Sequence, residues 1–198
     1  MKITEIINEA LSVLKAGGVI LYPTDTVWGL GCDATNPEAV SRIYEIKRRS
    51  EAKSLVLLAS DMDMVAKHVR EIPSMAIDLV EVNDSPMTII YPQAQYLAPN
   101  AVAEDGSVGI RIPFVEEGCT DGPALFCREL VRRLRHPLVS TSANISGEPT
   151  PKNFSEISQE IKSAVDYCCP KNLEYGASGK ASQIIKLGLG NEVTIIRG

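Results

Sequence analysis

The sequence is poor in the residues that catalytic metal and redox sites most often need. It contains only two histidines, His68 and His136. Its five cysteines are odd in number, two of them are adjacent, and no C-x-x-C spacing occurs. A disulfide framework and a structural zinc site are therefore poorly supported, and reduced thiols are the better interpretation. Histidine-based metal catalysis is also disfavoured, although His136, which precedes Pro137, can still line a site.

Long apolar runs are missing as well. No stretch approaches the roughly 20 residues that a transmembrane helix requires, and the N-terminus enters an amphipathic pattern without a signal-peptide core. We therefore expect a cytoplasmic protein with no membrane partner. The formal net charge of -5 argues against a globally basic nucleic-acid coat protein. A local basic cleft stays open, because binding follows the distribution of charge more than its sum.

Hydrophobic residues make up 44% of the chain, enough for a sizeable core. Buried-strand and helical patterns alternate at first and then follow a less regular order, which favours a mixed α/β (α+β) sheet over a strictly doubly wound one. No repeat or break in composition divides the chain, so we predict a single domain over residues 1–198. We predict five helices: one that Thr4 caps, one over 37–47, one that starts at 61, one over 125–134, and one from a cap at Asn153 or Ser155 through Ile161. We predict strands over 19–22, 55–58, 87–91, 108–112, 137–140, 182–187 and 192–197.

Four segments place small, hydroxyl or basic residues near the ends of predicted strands and helices. The first, residues 22–31 (YPTDTVWGLG), follows a buried strand with two threonines and two glycines. Glycine permits close approach of the backbone to a ligand, so a backbone-lined binding site is one interpretation. A capped turn with Trp28 in the core explains the same residues equally well.

The second segment is the basic run KRRSEAK at residues 47–53. As a phosphate clamp, it would use Lys47 as a point charge and Arg49 as a planar fork. The alternative is a solvated helix terminus whose cations face the negative end of the helix dipole. The charge run alone favours this alternative.

The third segment, residues 108–113 (VGIRIP), contains an arginine inside an otherwise apolar strand. Arg111 needs a compensating carboxylate, either from the protein or from a ligand. Without other information, an internal salt bridge is the default interpretation.

The fourth segment, residues 140–147 (STSANISG), follows an apolar strand end. Its short hydroxyl and amide side chains offer many hydrogen-bond donors and acceptors in little space. A capped turn rarely needs five such residues, so this segment favours a functional site.

Taken in order, these segments resemble the YrdC-like family of threonylcarbamoyl-AMP synthases over nearly the whole chain. Residues 23–31 match the family's P-T-[DE]-T-x-[YW]-G-L-G segment, and residues 47–49 match its K-x-R motif. Arg111 matches its V-x-[VI]-R-x-P strand, and residues 142–144 match its S-x-N motif. Residues 195–198 resemble its closing I-[LI]-R segment. Each motif alone is weak, whereas the ordered set is highly specific.

The resemblance implies the single-domain form of the family: a twisted mixed sheet, flanked by helices, around a large positively charged cavity. It implies threonine binding by Thr24, Arg111 and Ser142. It implies that Lys47 and Arg49 serve catalysis. The residues implied around ATP are Lys47, Arg49, Thr88, Ser140, Asn144 and Arg197.

The implied reaction joins L-threonine, bicarbonate and ATP and releases pyrophosphate. Its product, threonylcarbamoyl-AMP, serves the N6-threonylcarbamoyladenosine (t6A) modification of tRNA through downstream t6A-transfer enzymes. A carbamate on the threonine amine would attack the α-phosphorus, so no covalent enzyme nucleophile is needed. Catalysis would depend on positioning the substrates and neutralising the charge of the phosphates. We predict no metal site in the protein itself, with Mg²⁺ bound through the phosphates of ATP.

The chain departs from the family pattern in three places. Residues 85–88 read SPMT where the family has P-G-P-x-T. Ser50 and Ser54 stand where prolines are usual. Residues 182–186 read SQIIK where S-T-[IV]-[IV]-D is common. The core motifs are intact, and a divergent paralogue is one explanation of these changes.

A non-catalytic protein that binds double-stranded RNA or tRNA is the competing class, because the family is also associated with double-stranded RNA. Its signature would be a basic helix face, for which Arg128, Arg132, Arg133 and Arg135 are candidates. Pairing with Glu129 on a solvated face is the simpler interpretation of these arginines. A carbamoyl-transfer module of the hydrogenase-maturation type would sit in a much longer chain, and the length argues against it.

Overall fold

A computed structural model describes residues 2–50, 55–190 and 192–198. Ser54 and residues 51–53 of the basic run lie outside the described residues. The helices are α1 (Ile3–Lys15), α2 (Pro37–Lys47), α3 (Met62–His68), α4 (Ser74–Val82), α5 (Pro123–Leu134) and α6 (Gln159–Ala164). The strands are β1 (Ile20–Pro23), β2 (Trp28–Gly31), β3 (Val56–Leu58), β4 (Met87–Tyr91), β5 (Val108–Arg111), β6 (Leu138–Ser142), β7 (Tyr167–Cys168), β8 (Gln183–Leu187) and β9 (Val193–Arg197).

The strands of the described residues form one sheet in the order β7-β1-β2-β6-β3-β5-β4-β8-β9. The pairs β1/β7, β3/β5 and β4/β8 are parallel, and the remaining neighbours are antiparallel. This arrangement confirms the predicted mixed α/β sheet flanked by helices. No helix in the described part of the chain is both long enough and apolar enough to span a bilayer.

The first two helices form where the sequence predicts them. Helix α1 buries Ile6, Ile7, Ala10 and Leu14 on the stripe that a period of 3.6 residues produces, and it packs against α5. Helix α2 follows Asn36, whose Oδ1 accepts the amide of Ala39 at 3.0 Å. The apolar stripe of α1 and the side-chain cap of α2 are therefore the local sequence signals that favour these helices.

Some element boundaries differ from the prediction. Helix α1 begins after Lys2 rather than at a Thr4 cap, and the Lys2 amide donates to Glu5 Oε2 at 3.0 Å. The expected helix after Asn153 is instead a 3₁₀ turn, Phe154–Glu156, followed by a separate helix, α6, which Ser158 caps. Helix α4 and strands β2 and β7 were not predicted at all.

The two faces of β4 and β5 carry different side chains. Because side chains alternate across a strand, Thr88 and Ile90 point to one face while Met87, Ile89 and Tyr91 point to the other. The register pairs Ile90 with Gly109 and Ile89 with Ile110. Gly109 therefore lies on the same face as Ile90, and Ile110 lies on the same face as Ile89. Each face supports a cavity of its own.

Candidate functional site

A cavity of about 700 Å³ opens on the Thr88 face of the sheet. This volume lies within the range of small-molecule sites, roughly 300–1,000 Å³. Among the described residues, four basic and two acidic side chains line it, and this surplus of basic groups suits an anionic ligand. The six are Arg49, Arg111, Lys186, Arg197, Glu104 and Asp105.

Most of the residues predicted from the sequence come together in this cavity. The predicted residues in its lining are Thr24, Arg49, Thr88, Arg111, Ser140, Ser142 and Arg197. Lys47 and Asn144, the remaining two, are not part of the lining. Strand β2 pairs with β6 so that Gly29 lies opposite Ser142. A side chain at this glycine would meet the Thr141 carbonyl oxygen at 3.3 Å and Tyr22 Cε1 at 3.6 Å, so glycine suits the close packing of β2 at the cavity wall.

Thr24 closes the turn between β1 and β2. Its Oγ1 accepts the amides of Thr26 and Val27 at 3.1 and 3.2 Å and donates to the Val27 carbonyl at 2.8 Å. Only 2% of Thr24 is exposed, and Trp28 is buried in the core. The capped-turn interpretation is therefore confirmed. The same turn lines the cavity, and a ligand-binding role stays a prediction.

Arg111 forms an ion pair with a protein carboxylate. Its Nη1 donates to Oδ2 of Asp25 at 2.6 Å and also to Oδ1. The side chains are 4% and 11% exposed, respectively. The default interpretation of an internal salt bridge is thus correct, and Arg111 lines the cavity as well. Both contacts use one nitrogen, whereas a guanidinium carries five N–H donors. The ion pair therefore leaves Arg111 with donor capacity for a ligand.

Lys47 is buried and binds the backbone of the loop after β6. Its Nζ donates to the carbonyl of Asn144 at 2.7 Å and to that of Ser142. Only 2% of Lys47 is exposed, so the solvated helix terminus is wrong for this residue. Burial, with a contribution from the neighbouring Arg49, lowers the pKa of the Lys47 ammonium to about 8. Lys47 thus fixes the S-x-N loop from behind the cavity wall.

Asn144 reinforces the same loop. Its Nδ2 donates to the carbonyls of Glu148 and Ile145 at 2.8 and 3.0 Å. The amide of Ser146 donates to the Lys47 carbonyl at 2.8 Å. Within the described part of the chain, the buried Oδ1 of Asn144 has no hydrogen-bond partner. An unpaired buried acceptor is costly, and because Asn144 does not line the cavity, this oxygen does not face the ligand space.

Ser182 joins three strands at the cavity wall. Its hydroxyl forms a 2.8 Å hydrogen bond with Thr88 Oγ1. Its carbonyl accepts Nε and Nη2 of Arg197 at 2.9 and 2.6 Å. The segment that departs from the family pattern therefore begins with a residue that connects two predicted ATP-side residues.

Lys186, at the end of the same departing segment, pairs with Asp105 at 2.7 Å. Ser107 donates its hydroxyl and amide to Asp105, and together with Lys186 it holds the pKa of that carboxyl well below its usual range. Sequence reasoning gave no role to Asp25, Ser182 or Asp105. Asp25 carried a signal because it lies in the P-T-[DE]-T segment, and Ser182 carried one because it begins a segment that departs from the family pattern. Asp105 belongs to none of the segments that stood out.

Other polar candidates lie outside the cavity. His136 Nδ1 contacts Asp33 Oδ2 at 2.8 Å, and neither residue belongs to the cavity lining. In the described ranges, no group of three His, Cys, Asp or Glu side chains is placed to hold a metal ion. Arg132 and Arg133 both contact Glu129, at 2.6 and 4.0 Å, as the paired-face interpretation expects.

Comparison with known proteins identifies the family. The family model for Sua5, YciO and YrdC, described as "Telomere recombination", matches residues 12–198. A threonylcarbamoyl-AMP synthase of Hahella chejuensis is 34% identical over 179 residues, which cover 90% of this chain and 91% of that protein. The sequence likeness thus covers about nine-tenths of both proteins.

Solved structures agree with this fold. A double variant of P. abyssi Sua5 superimposes on the whole chain with a TM-score of 0.82 at 23% identity, and the match covers 57% of Sua5. P. abyssi Sua5 complexed with L-threonine gives a TM-score of 0.79 at 23% identity, with 94% of this chain and 52% of Sua5 covered. The chain thus spans little more than half the length of these Sua5 chains. On the evidence of the family model and the Hahella relative, the chain belongs to the Sua5/YciO/YrdC family.

Proposed function

We propose that this protein is a nucleotidyltransferase that forms threonylcarbamoyl-AMP and pyrophosphate from L-threonine, bicarbonate and ATP. The observation that carries the proposal is the likeness to a threonylcarbamoyl-AMP synthase, at 34% identity over 90% of this chain and 91% of that protein. The L-threonine complex of P. abyssi Sua5, which has the same fold, supports an amino acid as one ligand. Downstream t6A-transfer enzymes would pass the activated group to tRNA.

The threonine half of the site would lie around Arg111, Thr24 and Ser142. Arg111 is held by Asp25 at the cavity wall, so its orientation is set before a ligand arrives. The unused N–H donors of its guanidinium suit a carboxylate such as that of threonine. Ser142 lies opposite Gly29 in the sheet, and both residues line the cavity.

The ATP half would use Arg49, Thr88, Ser140 and Arg197. Transfer of a phosphoryl or nucleotidyl group depends on positioning and on charge neutralisation around phosphorus. We propose that Arg49, on the cavity wall, neutralises charge on the phosphates. Lys47 would act in catalysis by holding the Ser142–Asn144 backbone in place, and Asn144 would complete the ATP side of that loop.

The chemistry needs no enzyme nucleophile. The threonine amine and bicarbonate form a carbamate with loss of water, and a carbamate oxygen then attacks the α-phosphorus. The bond from the α-phosphorus to the bridging oxygen breaks, and pyrophosphate leaves with that electron pair. A site that holds the carbamate against the α-phosphorus of ATP would suffice for this sequence of steps.

A magnesium ion held by the protein alone does not fit the described residues, because they offer no suitable group of three ligands. Of the two acids in the cavity lining, Asp105 is already paired with Lys186. Mg²⁺ commonly binds through substrate phosphates with few protein ligands. We propose that it enters with ATP, and no step above depends on it.

The test is pyrophosphate release with ATP, threonine and bicarbonate, with each substrate omitted in turn. We expect release only when all three are present. Arg49→Met should abolish most of it, whereas Arg70→Met, on an exposed residue outside the cavity lining, should not. Release that does not depend on threonine would contradict the proposal. Binding of double-stranded RNA or tRNA without turnover would instead support the RNA-binding alternative.

A further inference from the structure

A second cavity lies on the opposite face of β4 and β5. Its volume is about 230 Å³. Strand β4 contributes Met87, Ile89 and Tyr91 to its floor, and β5 with the residue after it contributes Ile110 and Ile112. These residues alternate with the ones that line the larger cavity, so the two cavities lie back to back across the same strands. The second cavity is therefore separate from the proposed active site.

Most of its lining residues are apolar, but polar atoms expose as much of the wall as apolar atoms do. The walls come from three parts of the chain. Helix α4 and the turn after it supply Val80 and Asn83, the segment after β5 supplies residues 113–115, and α5 supplies Arg128. Phe114 is 43% exposed, which is unusual for a large apolar side chain. Asn83 is occupied locally by hydrogen bonds with Ser85. A concave site lined by apolar side chains together with a few polar groups has the general character of a small-molecule site.

Two polar groups of this lining have no protein partner within the described ranges. Tyr91 is only 1% exposed, yet its hydroxyl makes no hydrogen bond there. Burial raises the pKa of this phenol, so it stays protonated as a donor. Arg128 is half-buried and forms no ion pair, in contrast to Arg132 on the same helix, which binds Glu129 at 2.6 Å. A phenol hydroxyl and a cation that face the same cavity, neither paired within the described ranges, both favour a ligand that offers acceptor oxygens.

We propose that this second cavity binds a small apolar carboxylic acid. Its hydrocarbon part contacts the isoleucines of β4 and β5, and its carboxylate accepts from Arg128 and the Tyr91 hydroxyl. The volume of about 230 Å³ falls below that of drug-sized sites, so the acid is of the size of phenylacetate or hexanoate. The proposal stands apart from the proposed catalytic function, because it uses the other face of the sheet.

The test is a methyl-detected NMR titration of the full chain with phenylacetate and with hexanoate. Phenylacetamide and hexanamide are the neutral controls. We expect the methyl signals of Ile89, Ile110 and Ile112 to shift with the acids. Because a charge-assisted hydrogen bond contributes about 1.5–3 kcal/mol, each amide should bind roughly tenfold more weakly or worse.

Variants locate the carboxylate. Arg128→Met should weaken phenylacetate binding about tenfold, whereas Arg132→Met, on the arginine that Glu129 already pairs, should leave it unchanged. Tyr91→Phe keeps the ring and removes only the donor, so it reports on the site even if Arg128→Met folds poorly. The absence of shifts, equal binding of acid and amide, or full affinity in both site variants would overturn the proposal. Neither ATP nor threonine is present, so these results do not bear on turnover.

Discussion

Arg111 and Asp25, 86 residues apart in the sequence, form an ion pair at the wall of the larger cavity through a single guanidinium nitrogen. Both side chains are nearly buried, and Arg111 still lines the cavity. A guanidinium already held by a carboxylate loses less freedom when a ligand arrives. A substitution of Arg111 is therefore expected to affect both the stability of the fold and the binding of a ligand.

The first prediction concerns stability. Arg111→Ala removes the partner of a nearly buried carboxylate, so the free energy of unfolding should fall by about 3–5 kcal/mol. The double variant Arg111→Met/Asp25→Asn removes both charges and should recover part of that loss. Urea unfolding of the three proteins measures both effects. A loss below about 1 kcal/mol in Arg111→Ala, the size expected of a surface pair, would contradict it.

The second prediction concerns threonine. Arg111→Lys keeps a cation for Asp25 but cannot reproduce the planar fork of a guanidinium. The apparent constant for threonine should rise strongly, while that for ATP changes little. Steady-state pyrophosphate release against each substrate measures the two constants. Unaltered threonine dependence, combined with a large loss of stability, would leave Arg111 with a structural role alone.

The third prediction follows from the pKa of Lys47. Its folded value of about 8 lies below the ordinary value of 10.5. Between these values the native state has released the proton and the unfolded state still binds it, so stability rises with pH across this window. The difference in unfolding free energy between wild type and Lys47→Met should increase by up to about 1.4 kcal/mol per pH unit.

Urea unfolding at pH 7.5, 8.5 and 9.5 checks this, because tyrosines and cysteines titrate in both proteins and cancel in the difference. If the difference in unfolding free energy between the two proteins does not change with pH, the carbonyls of Ser142 and Asn144 keep the Lys47 ammonium charged. The same variant should lose activity, since the loop that Lys47 holds borders the cavity.

The fourth prediction concerns Thr88 and Ser182. Thr88→Val preserves shape but leaves the Ser182 hydroxyl without its 2.8 Å partner, which should cost about 1–3 kcal/mol of stability. Adding Ser182→Ala should cost little more, because the partner is already lost. Unfolding of the two single variants and the double variant gives the coupling. Strictly additive losses would show that the hydrogen bond contributes nothing.

Local patterns were enough for much of the fold. The apolar stripe of α1 and the Asn36 cap of α2 are signals carried within a few residues, and both helices formed as expected. Strand β2 was missed because its sequence, WGLG, looks like a glycine-rich loop. Its extended form comes from pairing with β1 and β6, which no local pattern encodes.

The site shows the same limit. The sequence requires a carboxylate for Arg111, but only the fold shows that Asp25 supplies one. Lys47 looks like a solvated charge at a helix end, and it is buried because the loop from Ser142 to Asn144 folds over it. Most of the residues that the motifs single out meet at the cavity, although Lys47 and Asn144 do not line it. Partners distant in sequence decide what each atom contacts.

The last prediction separates two glycines of the sheet by what a methyl group would meet. At Gly31, an added Cβ would lie 2.7 Å from Tyr22 Cε1 and 2.9 Å from the Val139 carbonyl oxygen, closer than real contacts allow. Gly31→Ala should therefore cost about 1–3 kcal/mol of stability through strain. At Gly109, the nearest atom is Thr88 Cγ2 at 3.4 Å, an ordinary contact.

Gly109→Ala should leave urea unfolding unchanged or slightly raise stability, since glycine inside a strand is unfavourable by roughly 0.5–1 kcal/mol. Its methyl group would instead enter the space of the larger cavity, whose floor Gly109 forms beside Thr88. We therefore expect weaker binding of ATP or threonine with an intact fold, measured by substrate titration of pyrophosphate release alongside unfolding. Gly31→Ala is the matched control, because it should lose stability while the constants measured on the folded fraction stay near those of the wild type. Full affinity for both substrates in Gly109→Ala would place the ligands away from this floor and contradict the proposed site.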